Sequence, residues 1–332
     1  MIKIKNIKTK SIIVLIITVI VLSIVLKDEF FIIVDTLKTC NPLWIIAGLI
    51  IMTFLMLFRG LGLYRVARGY DIKLSIWEAF IMEIKTSFFN GITPFSTGGQ
   101  PFQIYAFKKK GISIAKGASV ELVNFVTYQL ALVIIGFIVL IINSKYKIIN
   151  NMGKFLAIGF FVNTVIMLGL FFISYARKTT KKICIFFINI LSKLKVIKDK
   201  ERILDNIDDR LGEFHKATNF YKNKKKDFLL SFLYHFMELA CLYTIPLFAF
   251  YAVNTTSVSF IECFSATAYT MVIGSFVPIP GGSGGMEYVY TRLFSNFASS
   301  SIVSSTLIIW RSISYYIPML IGGILFNLKE SD

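Results

Sequence analysis

The sequence predicts an all-α integral membrane protein of about six transmembrane helices plus two re-entrant broken-helix hairpins, arranged as an inverted repeat. Three observations lead to that fold class. Of the 332 residues, 55% are hydrophobic and the mean hydropathy is +0.69, whereas soluble domains run nearer 45–50% apolar. Several apolar runs approach the ~20 residues that cross a bilayer as a helix. Two of the runs are broken in the middle by proline and paired glycines, "FFNGITPFSTGGQPF" at 88–102 and "FVPIPGGSGGMEYVY" at 276–290.

Taken in order, Ser11–Leu26 follows Lys3, Lys5, Lys8 and Lys10, and Lys27, Asp28 and Glu29 come after it. No small-residue cleavage site separates the two, so the segment is expected to stay as a first span. With the N-terminus inside, Leu43–Phe58 returns to a stretch bearing Arg59, Arg65, Arg68 and Lys73, as cytoplasmic segments do. Leu74–Phe107 is mostly apolar yet ends at Lys108, Lys109 and Lys110. Basic residues at both ends and a broken middle predict a hairpin that enters and leaves by the cytoplasmic face. Ala115–Asn143 then exits and Met152–Tyr175 returns. Residues 177–227 are polar and read as one or two amphipathic cytoplasmic helices, with "ICIFFINIL" (183–191) along the interface. Phe228–Val253 exits, interrupted by Pro246. The second hairpin, Phe260–Phe294, begins and ends outside between uncharged flanks, and Ile302–Phe326 brings the C-terminus to the cytoplasm. The expected location is the cell membrane, multi-pass, with both termini cytoplasmic.

The whole chain therefore reads as one polytopic domain. A first repeat spans about 43–143 with its re-entrant loop at 91–101, and a second spans about 228–326 with its loop at 278–287. Transporters of this plan place interrupted helices at a substrate site near the midplane. Backbone freed at such breaks must be buried in protein or line a wet cavity. Continuous helices kinked at Gly and Pro are the other reading.

The net charge of +17 does not point to nucleic acid, because the cations gather between spans. There they meet anionic headgroups at about 1 kcal/mol per residue. Cys40, Cys184, Cys241 and Cys263 are isolated, so neither a disulfide framework nor a zinc site is signalled, and no metal or cofactor is expected.

The stretch "GGSGG" at 281–285 matches the G-x-S-x-G nucleophile elbow, but no His follows Ser283 and the one later Asp is Asp332. A hydrolase needs both partners, so no catalytic residue is assigned. The glycine pairs Gly98-Gly99 and Gly284-Gly285 serve either helix N-termini that hold an anion or close helix packing. Ionisable residues within spans are functional candidates by default: Glu287 and Arg292 after the second break, Arg311 in the last span, and Glu121 opening the span after the first hairpin. Glu287 either pairs with Arg311 as a structural lock or engages a cationic headgroup while an arginine meets its phosphate. Glu78, Glu83 and Lys85 are expected to line a solvated cleft. His235 and Glu238, three apart on one helix face, are expected to pair through a hydrogen bond without a metal, and His215 is expected to be solvated.

The two loops resemble the lysylphosphatidylglycerol synthase transmembrane family, the flippase-like membrane domain. The carrying residues are Asn90, Thr93-Pro94, Gly98-Gly99, Pro101, Lys109 to Ile112 and Glu121, then Pro278, Pro280-Gly281-Gly282, Gly284 and Glu287. Two positions depart from the pattern: Gln100, where such loops often carry Glu, and Gln103, near which an Arg is often found. The resemblance implies a lipid-handling protein that binds and translocates a phospholipid such as aminoacylated phosphatidylglycerol between leaflets. Its lipid site would be drawn from Thr93, Pro94, Gly98, Gly99, Gln100, Glu121, Pro280, Gly281, Gly282, Gly284, Gly285, Glu287, Arg292 and Arg311. The alternative implied by the family name is a phosphatidylglycerol lysyltransferase. Its larger members carry a soluble aminoacyltransferase domain, and the loop 177–227 is far below the ~100–150 residues typical of a domain. Expected partners are an anionic or aminoacylated phospholipid, a separate soluble aminoacyltransferase and a second copy of the chain, with no nucleic acid bound directly.

Overall fold

The computed structural model describes residues 38–146, 176–193, 207–221, 223–274 and 284–328, with scattered positions from 159 to 204. The expected first span at 11–26 and most of 152–175 lie outside the described residues, though the scattered positions between 159 and 172 are helical. Among the described residues the secondary structure is helical throughout, without strands. Four helices are long and apolar enough to cross a membrane.

The first of these is α1 (Pro42–Gly69). Its N-terminus is set by Asn41, whose side chain accepts the Leu43 N–H, with Pro42 in the first turn where a missing N–H does no harm. It does not stop at Phe58, as the run of arginines predicted. It continues for 28 residues in all and carries Arg59, Arg65 and Arg68 on helix. The reason is its partner. α7 (Lys225–Ala252) packs antiparallel along the full length of α1, and Arg59, Arg65 and both ends meet groups on or beside it. Asn41 N–H donates to the Ala252 carbonyl at 2.8 Å, Arg59 meets Glu238, Arg65 lies 3.9 Å from Asp227, and Asp71 meets Lys224 at 3.3 Å. Pro246 does not interrupt α7, which runs through it. The lost N–H at position 246 costs one backbone bond, which flanking turns and packed neighbours make tolerable.

The first hairpin consists of α2 (Ile76–Gly91) and α3 (Gly99–Lys109), joined by a 3₁₀ turn at Pro94–Ser96. A capping box starts α2: Ser75 accepts the Glu78 N–H and Glu78 accepts the Ser75 N–H. The break is shorter than the predicted 91–101. Gly99, Gln100 and Pro101 already form the first turn of α3, where proline needs no intrahelical donor. The arms are antiparallel: Gly99 faces Asn90, Gln103 faces Glu83 and Thr86, and Lys110 pairs with Glu78.

α4 (Ile114–Tyr146) follows, then α5 (Arg177–Lys193) and α6 (Ile207–Tyr221), the amphipathic helices expected in the polar segment. Lys181 meets Asp208 between them at 2.6 Å, and α6 docks on α4 where Ser119 Oγ donates to the Phe214 carbonyl at 3.1 Å. His215 is buried rather than solvated, because α6 turns that face onto the bundle.

The second broken element comprises α8 (Phe260–Gly274) and α9 (Gly285–Phe294). Residues 275–283, including Pro280, Gly281 and Gly282, lie outside the described residues. Gly285 to Glu287, expected in the loop, form the first turn of α9 after Gly284 at φ +81°. The last span, α10 (Ser300–Asn327), contains a π-helical stretch at Ser312–Tyr316. Its core contact is aromatic: Tyr290 stacks on Trp310 with centroids 4.8 Å apart and donates to Thr306 Oγ1 at 3.2 Å.

Candidate functional site

Two polar foci lie inside this apolar bundle. The first is built around the α1–α7 contact. Arg59 Nε donates to Glu238 Oε1 at 2.7 Å, and Glu238 Oε2 lies 2.7 Å from Nδ1 of His235, one turn away on α7. The Nε2 of the same ring lies 3.0 Å from Asn124 Oδ1 on α4, and Tyr128 packs edge-on against the imidazole. Gly62 lets the ring approach: a Cβ there would stand 2.8 Å from His235 Cε1. The expected His235–Glu238 pair is present, with Arg59 and Asn124 added from other helices.

The hairpin supplies the rest of this focus. Glu83 is 3% exposed, so it does not line a solvated cleft. It is covered because α2 is sandwiched between α1, α3 and α10. Its Oε1 accepts from Gln103 Nε2 at 2.8 Å, and the same amide donates to Thr86 Oγ1 at 3.0 Å. A charged side chain at 103 would have met a buried acid and a hydroxyl; the neutral amide satisfies both. Glu121, one turn before Asn124 on α4, is 6% exposed, and its Oε1 has no hydrogen-bond partner among the described residues.

The second focus joins the two broken segments. The Tyr315 hydroxyl donates to the Gly91 carbonyl at the end of α2, at 2.9 Å. The Arg311 guanidinium lies over the Tyr315 ring, 4.3 Å from its centroid, a cation–π arrangement. Arg311 Nε stands 2.8 Å from Glu287 Oε1, as a charge contact with the N–H pointing off the oxygen. Arg311 is 4% exposed, and Glu287 Oε2 has no hydrogen-bond partner among the described residues. Arg292 does not join them; it is exposed at the far end of α9.

At the hairpin tip the polar residues serve the loop itself. Gly98 N–H donates to Thr93 Oγ1 and Gly99 N–H to Asn90 Oδ1, each at 2.8 Å. A Cβ at Gly98 would lie 2.6 Å from the Phe89 carbonyl oxygen, and one at Gly99 would lie 2.5 Å from Asn90 Oδ1. These two donors are engaged and these two glycines are packed tight. Phe95 and Ser96 both take positive φ (54° and 53°), and Pro94 and Phe95 are exposed. Gln100 sits on the first turn of α3, half-buried.

Long apolar helices, four of them able to cross a membrane by length and composition, with charges buried between them, define an integral membrane protein. The model of the lysylphosphatidylglycerol synthase TM region matches residues 11–322, so the chain belongs to that family. Relatives include the Mycoplasma pneumoniae protein described as "Uncharacterized protein MG306 homolog", 24% identical over 318 residues, covering 89% of this chain and 79% of the relative. A UPF0104 membrane protein of Archaeoglobus fulgidus is 20% identical over 297 residues, covering 88% of each chain.

Proposed function

We propose that the protein binds and translocates a phospholipid between leaflets of the cell membrane, with an aminoacylated phosphatidylglycerol as the substrate class the family name favours. The observation that carries this reading is the chain Gly91–Tyr315–Arg311–Glu287. It ties the end of one broken segment to the start of the other beside the middle of the span Ser300–Asn327. In this reading the α2–α3 pair is a re-entrant hairpin with its mouth at Glu78 and Lys110 on the cytoplasmic face. The α8–α9 pair enters from the opposite face, which makes 43–143 and 228–326 inverted repeats. Glu287 offers an acceptor to a headgroup ammonium, while the Arg311 guanidinium takes a phosphate oxygen. Thr93, Pro94, Gly98, Gly99, Gln100 and Glu121 on the first side, and Gly284 and Gly285 on the second, border the route in this reading; Pro280, Gly281 and Gly282, expected with them, lie outside the described residues.

The test is transport in liposomes of phosphatidylglycerol doped with lysyl-phosphatidylglycerol, followed by an impermeant amine reagent. The expected result is protein-dependent loss of the protected inner-leaflet pool. No redistribution above protein-free liposomes, for either the aminoacylated or the parent lipid, would overturn the reading.

A further inference from the structure

The focus around Glu238 is unbalanced in charge. Among the described residues it holds three carboxyl groups, Glu83, Glu121 and Glu238, against one guanidinium (Arg59) and one imidazole (His235). Glu238 has both possible cations in direct contact, at 2.7 Å each. Glu83 is met by the neutral Gln103 amide. That leaves Glu121, 6% exposed, whose Oε1 has no hydrogen-bond partner among the described residues. A buried carboxylate without donor or counter-charge is strongly disfavoured in a low-dielectric interior. A proton taken up by Glu121 removes that penalty, and a second carboxyl in the same focus, Glu83, disfavours its loss.

We propose that Glu121 is an intramembrane proton-binding site, taking up and releasing a proton independently of any lipid ligand. α1 presents Arg59, α2 presents Glu83, α3 the neutral Gln103 and α7 His235 and Glu238; Tyr128 lies on α4 itself. α6 brings the buried His215, on the stretch that meets Ser119, and α8 reaches α4 near Val139, where Tyr269 lies 3.5 Å from its carbonyl. None of these supplies a cation to Glu121. The site stands about one helical turn from Asn124 and about two turns into α4, some 10 Å from its start at the mouth of the hairpin. Glu121 therefore lies nearer the end of α4 at the hairpin mouth than the middle of that helix. Acid–histidine chains in pumps and transporters are placed in this way.

The test is pH-difference infrared spectroscopy of the full chain in lipid nanodiscs. A protonated-carboxyl band that appears on acidification, vanishes in Glu121→Gln and moves in Glu83→Gln is the expected result. A band that both variants leave unchanged, or no band in the native chain, would overturn the proposal. If Glu121→Gln is not monodisperse, Glu121→Asp decides: a displaced band supports the site and an unmoved one refutes it. Sodium chloride is compared with choline chloride at constant pH. Loss of the band with sodium alone would assign the site to a metal cation and sink the proton reading.

Discussion

The Tyr315 hydroxyl holds the Gly91 carbonyl at 2.9 Å although 224 positions separate the two residues. Gly91 ends the first arm of a hairpin and its carbonyl has no further turn to bond, so an outside donor closes that helix. The same tyrosine ring bears the Arg311 guanidinium. One side chain thus finishes one broken segment and steadies the charge that meets the other.

Glu287→Gln and Arg311→Ala are expected to slow lipid redistribution at least tenfold while monodispersity in detergent is retained. If the pair is only a lock, stranding one partner would cost about 3–5 kcal/mol, and each single variant would aggregate. Recovery of both folding and transport by the double change Glu287→Gln with Arg311→Met would then remove these residues from the lipid site.

Small residues decide how closely α10 approaches the hairpin. A Cβ at Gly322 would lie 2.2 Å from the Ile84 carbonyl oxygen, whereas at Gly117 the nearest atom would be 3.5 Å away. Gly322→Ala should therefore destabilise by about 1–3 kcal/mol through forced separation of the two helices, and Gly117→Ala should not. Thermal melts of the two variants, monitored by size-exclusion chromatography, check the contrast; equal melting points would contradict it.

Asp71 and Gly111 flank the α2–α3 hairpin and are both exposed. With cysteines placed there in an otherwise Cys-less chain, an impermeant maleimide should label both from the same side of sealed vesicles. Labelling from opposite sides would make α2–α3 a full crossing and end the inverted-repeat reading.

The purified chain is expected to make no lysyl-phosphatidylglycerol from lysyl-tRNA and phosphatidylglycerol. Thin-layer chromatography of radiolabelled lipid would show it. A product spot with no other protein added would favour the lysyltransferase alternative instead.

Glu78 gives a pH signature at the hairpin mouth. Its hydrogen bond with Lys110, then the Ser75 backbone N–H, hold its carboxyl below its ordinary value. A depressed folded pKa contributes stability above the unfolded value and loses it as pH falls through the folded one. The group is well exposed, so screening keeps the effect under about 1 kcal/mol. Glu78→Gln should lower stability on the neutral side by under about 1 kcal/mol, flatten the fall towards acid, and leave the most acidic end unmoved. A neutral-side loss of several degrees would refute this.

Helix class, a helical hairpin (expected at 74–107, seen at 76–109) and, as one of two readings, a contact of Glu287 with Arg311 were legible in the residues, because each signal is local or a matter of charge in an apolar run. What the sequence hid depends on distant partners. Arg59 reads as the start of a cytoplasmic loop, since nothing nearby tells that Glu238 will meet it. Glu83 reads as solvated for the same reason: its cover comes from α3 and α10. Gln103 stood out only as a departure from the family pattern, and its use as the donor to Glu83 and Thr86 follows from the arms lying antiparallel. Asn124 carried no signal at all, being an ordinary polar residue on a long apolar helix.

The Arg59–Glu238 contact also has a history during synthesis. The arginine is made 179 residues before its acid, an interval of roughly ten to thirty-five seconds at the ~5–20 residues per second of a translating ribosome. During that time α1 is in the bilayer with a cation near its final third and no acid from α7 to receive it. A lone arginine at the centre of a span is expensive, whereas one nearer the end can reach headgroups with its long stem. Arg59 lies ten residues before Gly69, the end of α1, and its charge stays without the Glu238 carboxylate until α7 has been made. The bundle's central ion pair is in this sense a delayed latch, set when the second half of the chain enters the membrane.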